Sequence, residues 1–196
     1  MKKLFLTSSF SDVYLDFKAC IQDELMGKTV SFIPTASKPE SVTFYVENDR
    51  LAFEKLGMKV EILNIDEDDP KTIVQALTRN DYIFVSGGNT FYLLQELRRS
   101  KMDQVIVQLI QRGKPYIGSS AGSIVLGADL EYIKTMDDYS QAPDLLNTAG
   151  LDVLPFSILP HFGDAPFSEI TNQIFNEFHQ KHVLVPLNNR QFIYLD

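Results

Sequence analysis

Cysteine is almost absent from this sequence, which contains Cys20 alone among 196 residues. A single thiol excludes a disulfide within the chain. The surrounding sequence, FKACIQDEL, is typical of an amphipathic helix, where a lone cysteine is usually a small buried side chain. Reactive cysteines need an electropositive, partly open environment, which nothing in this segment indicates. We therefore interpret Cys20 as a structural residue.

Long hydrophobic runs and an excess of positive charge are also missing. No apolar run approaches the length of a membrane span, and the N-terminal MKKLFL is far shorter than the core of a signal peptide. The 18 basic residues are outnumbered by 26 acidic ones, so the formal net charge is −8. An acidic surface repels phosphate backbones and anionic headgroups. We expect a cytoplasmic protein with neither nucleic acid nor a membrane as its partner.

Short apolar runs alternate with helical patterns, which is typical of βαβ units and a parallel sheet. The length favours one domain over residues 1–196. The patterns predict strands at 3–8, 29–34, 59–64, 81–86, 114–118, 130–134, 157–161, 182–185 and 191–195. They predict helices at 13–25, 41–56, 70–77, 91–98, 102–112 and 167–179. We expect a doubly wound α/β sheet up to residue 126, followed by an irregular extension on the same core.

The pentapeptide GSSAG at 118–122 places Ser120 where the fifth strand gives way to a helix. A G-x-S-x-G sequence at a sharp strand-to-helix turn is typical of a nucleophile elbow, because small neighbours allow the tight bend that exposes the serine hydroxyl. The N–H of Ala121, at the start of the helix, is a candidate oxyanion donor. The pattern alone is weak, since small residues commonly fill such turns.

A second glycine turn, GGNT at 87–90, follows the fourth strand and opens another helix. Ligands of parallel sheets bind at the carboxyl ends of the strands, where this turn and Ser120 would lie side by side. Gly88 is therefore a second candidate oxyanion donor. A phosphate-binding turn or a plain loop is the alternative, although neither G-x-G-x-x-G nor a Walker lysine is present.

A nucleophilic serine needs a base, and only three histidines are available. His179 and His182 lie in a polar, charged segment that favours solvated side chains. A metal-binding pair there is a minority interpretation, because no cluster of further ligands accompanies them. His161 ends an apolar strand and precedes a loop, so we predict that it is the general base for Ser120.

Three segments with matching order and spacing resemble peptidase E, the aspartyl dipeptidase group of serine peptidases related to cyanophycinase. They are FVSGGNTFYLL at 84–94, GSSAGS at 118–123 and LPFSILPHF at 154–162. The resemblance implies a three-layer α/β/α sandwich with a mostly parallel sheet, similar to class I glutamine amidotransferases and flavodoxin-like. It also implies that Ser120 attacks a peptide carbonyl, that His161 is the base, and that Gly88 and Ala121 donate to the oxyanion.

The third member of the triad departs from the family pattern. The family places it either in the loop after the elbow helix or near the C-terminus. In this sequence the loop offers Asp137 and Asp138, of which Asp138 is the closer match, whereas the C-terminal region reads LNNR at 187–190 and lacks a carboxylate. An asparagine can orient a histidine, but it cannot stabilise imidazolium by charge.

Substrate preference also departs from the family pattern. The aspartyl dipeptidases carry an arginine-bearing segment after the catalytic histidine, suited to a substrate carboxylate. The corresponding FSEITNQIF at 167–175 contains neither arginine nor lysine. The resemblance therefore implies a short peptide substrate, without implying a preference for Asp-X.

Two alternatives to a dipeptidase-like serine peptidase stay open from the sequence. An α/β-hydrolase esterase shares the elbow, although this chain is short for that fold and lacks an HGGG-type loop. A catalytically impaired binding protein of the same fold would explain the missing carboxylate and arginine. We expect no cofactor and no metal, and we leave a homodimer open.

Overall fold

A six-stranded sheet forms the centre of the molecule. The computed structural model describes residues 2–21 and 24–196. The sheet has the order β3-β2-β4-β5-β1-β8, in which β8 alone runs antiparallel to its neighbour β1. A separate parallel pair, β6 and β7, lies beside it. The strands are β1 (Leu4–Thr7), β2 (Thr29–Ile33), β3 (Lys59–Ile62), β4 (Tyr82–Val85), β5 (Tyr116–Ser119), β6 (Ser157–Leu159), β7 (Leu184–Pro186) and β8 (Phe192–Leu195).

Seven α-helices connect the strands of the described residues. They are α1 (Phe10–Cys20), α2 (Phe44–Lys55), α3 (Pro70–Arg79), α4 (Thr90–Ser100), α5 (Met102–Gln111), α6 (Ala121–Ile124) and α7 (Ser168–Phe178). Within residues 2–21 and 24–196, no helix combines the length and the apolar character needed to cross a membrane.

Alternate side chains of the buried strands enter two separate cores, because successive residues of a strand point to opposite faces. The core under α1 and α2 is aromatic and includes Phe5, Phe10, Phe17, Phe32, Phe53 and Phe84. The core under α3 to α6 is mainly aliphatic and includes Leu6, Ile73, Ile83, Val85, Leu94, Ile106 and Ile124. Helices cover both faces of the sheet, so the predicted three-layer α/β/α architecture is confirmed.

Two predicted elements differ from the structure. The predicted strand at 130–134 is wrong, because Glu131–Ile133 forms a 3₁₀ turn. Tyr132 and Ile133 are both fully buried, and the Tyr132 hydroxyl donates to the Ile158 carbonyl, so these consecutive side chains do not alternate as in a half-exposed strand. The predicted helix at 13–25 instead begins at Phe10 and ends at Cys20, before the extended Ile21; positions 22 and 23 of that prediction lie outside the described residues.

The carboxyl ends of β1, β5 and β4 lie side by side in the sheet. These ends lead into Ser8, Ser120 and Gly87 respectively. All three strands are buried along their whole length, which fixes the positions of the loops that follow them. Parallel topology therefore collects chemistry-bearing loops from distant parts of the chain at one edge.

Candidate active site

Ser120 occupies a strained turn between β5 and α6. Its φ and ψ angles are 47° and −109°, a conformation that residues with a side chain rarely adopt. The Ser120 N–H donates to the Thr7 carbonyl at 3.0 Å, and the Ser120 carbonyl accepts from Ser123 and Ile124. These hydrogen bonds fix the backbone of the turn, and its geometry is of the kind found in nucleophile elbows.

The two outer glycines of GSSAG are needed for close packing. A Cβ atom on Gly122 would lie 2.1 Å from the Val85 carbonyl oxygen, and one on Gly118 would lie 2.7 Å from the Gly122 carbonyl carbon. Real side chains never come so close, so the first turn of α6 contacts β4 only because Gly122 has no side chain. The sequence pattern therefore reflects a steric requirement of the elbow.

His161 lies beside Ser120, although 41 residues separate them in the chain. Its Nε2 atom is 3.0 Å from Ser120 Oγ. The His161 backbone N–H donates to Ser8 Oγ at 3.1 Å, and the Ser8 hydroxyl donates to the Leu187 carbonyl at 2.8 Å. The end of β1 thus joins the loop after β6 to the loop after β7. The sequence alone did not indicate Ser8, because its hydroxyl acts on backbone groups far away along the chain.

Asn189 is the third member of this chain of contacts. Its Oδ1 atom lies 2.6 Å from His161 Nδ1, and its backbone N–H donates to Asp164 Oδ2 at 2.6 Å. The aromatic ring of Phe167 stacks on the imidazole, with 4.9 Å between ring centroids. The structure therefore joins Ser120, His161 and Asn189 in one series of polar contacts, the order that a nucleophile, its base and an orienting group would need.

Neither Asp137 nor Asp138 takes the place of Asn189, which corrects the two loop candidates from the sequence. Asp137 Oδ2 accepts from the Thr90 N–H at 2.8 Å, at the start of α4. Asp138 Oδ1 accepts from the Ser140 N–H at 2.9 Å. In the described part of the chain, no hydrogen bond joins either carboxylate to His161. Both residues organise their own loop against α4.

Burial and nearby charges act in opposite directions on the base. Removal of the imidazole from water lowers the pKa of His161 below its ordinary value, while Asn189, Asp164 and Asp12 act to raise it. A neutral His161 can accept the Ser120 proton on Nε2 when Nδ1 carries the hydrogen that it donates to Asn189 Oδ1. The net effect favours the neutral form that a general base needs.

The two candidate oxyanion donors lie in the turns that follow β4 and β5. Gly88 has a φ of 130°, and a Cβ atom there would lie 2.2 Å from the Ala36 carbonyl oxygen. Ala121 is the first residue of α6, where an N–H has no partner within the helix. Gly87 packs against the elbow, since a Cβ on it would lie 3.2 Å from Ser120 Cβ. Gly87 and Ala121 therefore both adjoin Ser120, and Gly88 follows Gly87 in the same turn.

Comparison with known proteins identifies the family. The model of peptidase family S51 matches residues 4–196. The chain belongs to peptidase family S51. Membership of this family supports a serine peptidase, and it favours that class over an α/β-hydrolase esterase.

Two relatives extend over nearly the whole chain. The uncharacterized peptidase Lmo0363 of Listeria monocytogenes is 47% identical over 195 residues, covering 100% of this chain and 95% of the relative. The uncharacterized peptidase PM1590 of Pasteurella multocida is 43% identical over 196 residues, covering 98% and 93%. A peptidase E of Shewanella amazonensis is 38% identical over 133 residues, covering 68% of this chain and 53% of that protein.

A solved structure confirms the fold. The crystal structure of a candidate peptidase E protein from Listeria monocytogenes EGD-e superimposes with a TM-score of 0.95 at 46% sequence identity, covering 100% of this chain and 94% of the other. Among the described residues of this S51 member, no group of three or more His, Cys, Asp and Glu side chains is arranged to hold a metal ion.

Proposed function

We propose that this S51 member hydrolyses short peptides through an acyl-enzyme on Ser120, with His161 as general base. The observation that supports this most directly is the continuous series from Ser120 Oγ to His161 Nε2, 3.0 Å, and from His161 Nδ1 to Asn189 Oδ1, 2.6 Å. A serine hydroxyl is a poor nucleophile unless an adjacent base takes its proton. In this series His161 is the base and Asn189 orients it.

The proposed reaction has two halves. In the first, Ser120 Oγ bonds to the carbonyl carbon of the substrate while its proton moves to His161 Nε2. The resulting oxyanion accepts hydrogen bonds from the N–H groups of Gly88 and Ala121. His161 then gives the proton to the leaving amine as the C–N bond breaks. In the second half, His161 takes a proton from water as the water oxygen bonds to the acyl carbon; the ester C–O bond then breaks, and His161 returns the proton to Ser120 Oγ.

The substrate we propose is a short peptide without an acidic side-chain requirement. The relatives named peptidase E and the shared motifs support the peptide class. The start of α7 supports the absence of an acidic requirement, because the residue that contacts the imidazole there is the aromatic Phe167, and 167–175 contains no cationic side chain. Segment 167–175 therefore offers a substrate carboxylate no bidentate arginine partner.

A fluorophosphonate probe tests the nucleophile. We expect covalent labelling of the wild-type protein and none of Ser120→Ala. Ser119→Ala is the matched control, since the neighbouring hydroxyl accepts from the Phe10 N–H and does not contact His161. Labelling at Ser119, or equal labelling of Ser120→Ala, would contradict the assignment.

A substrate panel tests the reaction. Dipeptides and tripeptides with varied N-terminal residues are compared with p-nitrophenyl esters, and we expect hydrolysis of the amides with loss in Ser120→Ala. A wild-type protein with neither labelling nor hydrolysis would favour the binding protein, in which the neutral Asn189 marks a lost activity.

A further inference from the structure

We propose that Asp164 and Asp12 supply to His161 the negative charge that Asn189 lacks, so that alignment and charge come from different residues. This inference rests on the proposed role of His161 as base. In a Ser–His–Asp triad one carboxylate both fixes the tautomer of the histidine and stabilises the imidazolium that forms. An asparagine can perform only the first of these tasks, because it carries no charge.

Asp164 is joined to the catalytic series through the backbone of Asn189. Its Oδ2 atom accepts from the Asn189 N–H at 2.6 Å. Asp164 also closes a turn with the base itself, since its own N–H donates to the His161 carbonyl at 3.0 Å. Asn189 is therefore held at two points, by Asp164 at its N–H and by His161 at its Oδ1. Asp164 therefore acts as a positioning residue for Asn189, and its carboxylate also places a negative charge near His161.

Asp12 approaches the same place from a different element. It lies in the first turn of α1 and, with Asp164, lines a cleft of about 420 Å³ next to Asn189. The remaining lining residues are Asn188, Asn189 and Arg190. Arg190 brings a positive charge into the cleft, but its side chain forms no ion pair within the described ranges. Two carboxylates against one exposed guanidinium leave the cleft negative beside the base.

The direction of the electrostatic effect agrees with this arrangement. Burial is the largest influence on His161 and lowers its pKa, whereas the carboxylates of Asp164 and Asp12 raise it. Both charges lie outside hydrogen-bonding contact with the ring, so they act through space on the protonated form. Their contribution is greatest in the transition state, when His161 carries the proton from Ser120.

Titration of His161 by NMR tests the charge directly and needs no substrate. Imidazole ¹⁵N shifts are followed against pH in the wild-type protein, in Asp164→Asn, in Asp12→Asn and in the double variant; His161→Gln identifies the signal among the three histidines. Asparagine at 164 can still accept from the Asn189 N–H, so this change removes charge and retains the contact. We expect each single variant to lower the titration midpoint by ~0.5 pH unit and the double variant by about twice that.

Asp16→Asn is the matched control for Asp12→Asn. Asp16 is an exposed carboxylate one turn further along α1 and is not among the groups that act on His161. We expect it to leave the midpoint unchanged. A double variant that titrates like the wild type would overturn the inference, as would an equal shift in Asp16→Asn, which would reflect net charge alone.

Kinetics provide the second readout. In the double variant we expect kcat to fall about 5-fold to 10-fold with KM unchanged, and the acidic limb of kcat/KM to move to lower pH by the amount seen in the titration. Adding Asn189→Asp to that variant should restore both, because the charge returns at Nδ1. If the His161 titration midpoint is restored while kcat stays low, the proposal that these charges assist catalysis is contradicted. Failure of wild-type labelling at Ser120 would overturn the proposed function instead, and the titration would still decide the electrostatic relationship.

Discussion

Asn189 Oδ1 lies 2.6 Å from His161 Nδ1, where a Ser–His–Asp triad has a carboxylate oxygen. The carbonyl oxygen of the amide accepts the Nδ1 hydrogen and so leaves Nε2 free to accept the proton of Ser120. The same amide turned by 180° would present its NH₂ group and stabilise the opposite tautomer. The effect of Asn189 on His161 thus depends on which way the amide is turned. Substitutions at position 189 can separate the contribution of orientation from that of charge.

Asn189→Asp should keep activity and change its pH dependence. A carboxylate at this position raises the pKa of His161, so the acidic limb of kcat/KM should move to higher pH while the plateau stays at or above that of the wild type.

Asn189→Ala should lower kcat on the order of 10²-fold or more, because nothing then fixes the tautomer and alignment of the imidazole. Full activity in Asn189→Ala would show that Asn189 does not orient His161.

His161→Gln should reduce kcat/KM on the order of 10³-fold or more while the protein still folds. Since burial lowers the pKa of His161, the wild-type acidic limb should lie at lower pH than an exposed histidine would give. His179→Gln is the control, because that ring bonds to the Phe175 carbonyl at the exposed end of α7. Circular dichroism checks folding, and an unchanged kcat in His161→Gln would remove the base from the mechanism.

Asp137→Asn should leave the His161 titration and the acidic limb of kcat/KM unchanged. The Asp137 carboxylate bonds to the Thr90 N–H and not to the imidazole, and asparagine can still accept that bond. A shift of the limb comparable with that of the Asp164 and Asp12 double variant would return Asp137 to the catalytic series. Steady-state kinetics from pH 5 to pH 9 make this comparison.

Gly88→Ala should destabilise the fold by about 2–4 kcal/mol, because the new Cβ would collide with the Ala36 carbonyl and the residue would have to keep a φ of 130°. Gly27→Ala is the matched control: its φ is 78°, but a Cβ there meets nothing within 4 Å, so we expect a loss of only about 1 kcal/mol. Urea unfolding measures both changes. Equal decreases in the free energy of unfolding in the two variants would show that the collision with the Ala36 carbonyl does not destabilise the fold.

Asp49→Asn should stabilise the protein more at pH 8 than at pH 5. Burial raises the pKa of Asp49 to about 7 from an ordinary value of 3.8. The folded state therefore binds the proton more tightly than the unfolded state, and the free energy of unfolding falls as pH rises from about 4 to about 7. Asparagine removes this penalty and retains an acceptor for the Ser11 N–H.

The gain from Asp49→Asn at pH 8 should exceed that at pH 5 by about 1–3 kcal/mol in urea unfolding. Comparing variant with wild type at each pH cancels the other titrating groups, including His161, whose lowered pKa has the opposite sign. A gain independent of pH would mean that Asp49 is ionised throughout.

The local sequence pattern was enough to predict the alternation of strands and helices, the strand-to-helix turn at Ser120 and the glycine turn at Gly88. These features depend on neighbours in the chain: side-chain periodicity decides burial, and a tight bend demands small residues within five positions. The same reasoning was wrong at 130–134, where Tyr132 and Ile133 both entered the core and the segment formed a 3₁₀ turn.

The partners of His161 could be decided only by the tertiary structure. Asn189 and Asp164 come from different loops, and Ser8 at the end of β1 bonds to the backbone of His161 and of Leu187, so no spacing in the sequence relates these residues. Asp137 and Asp138 had the residue type expected of a triad, but the Asp137 carboxylate bonds to the start of α4 and the Asp138 carboxylate bonds to Ser140 in its own loop. The sequence alone shows which residues can act as nucleophile or base. The orientation of His161 and the charges near it depend instead on how the ends of β1, β6 and β7 pack together.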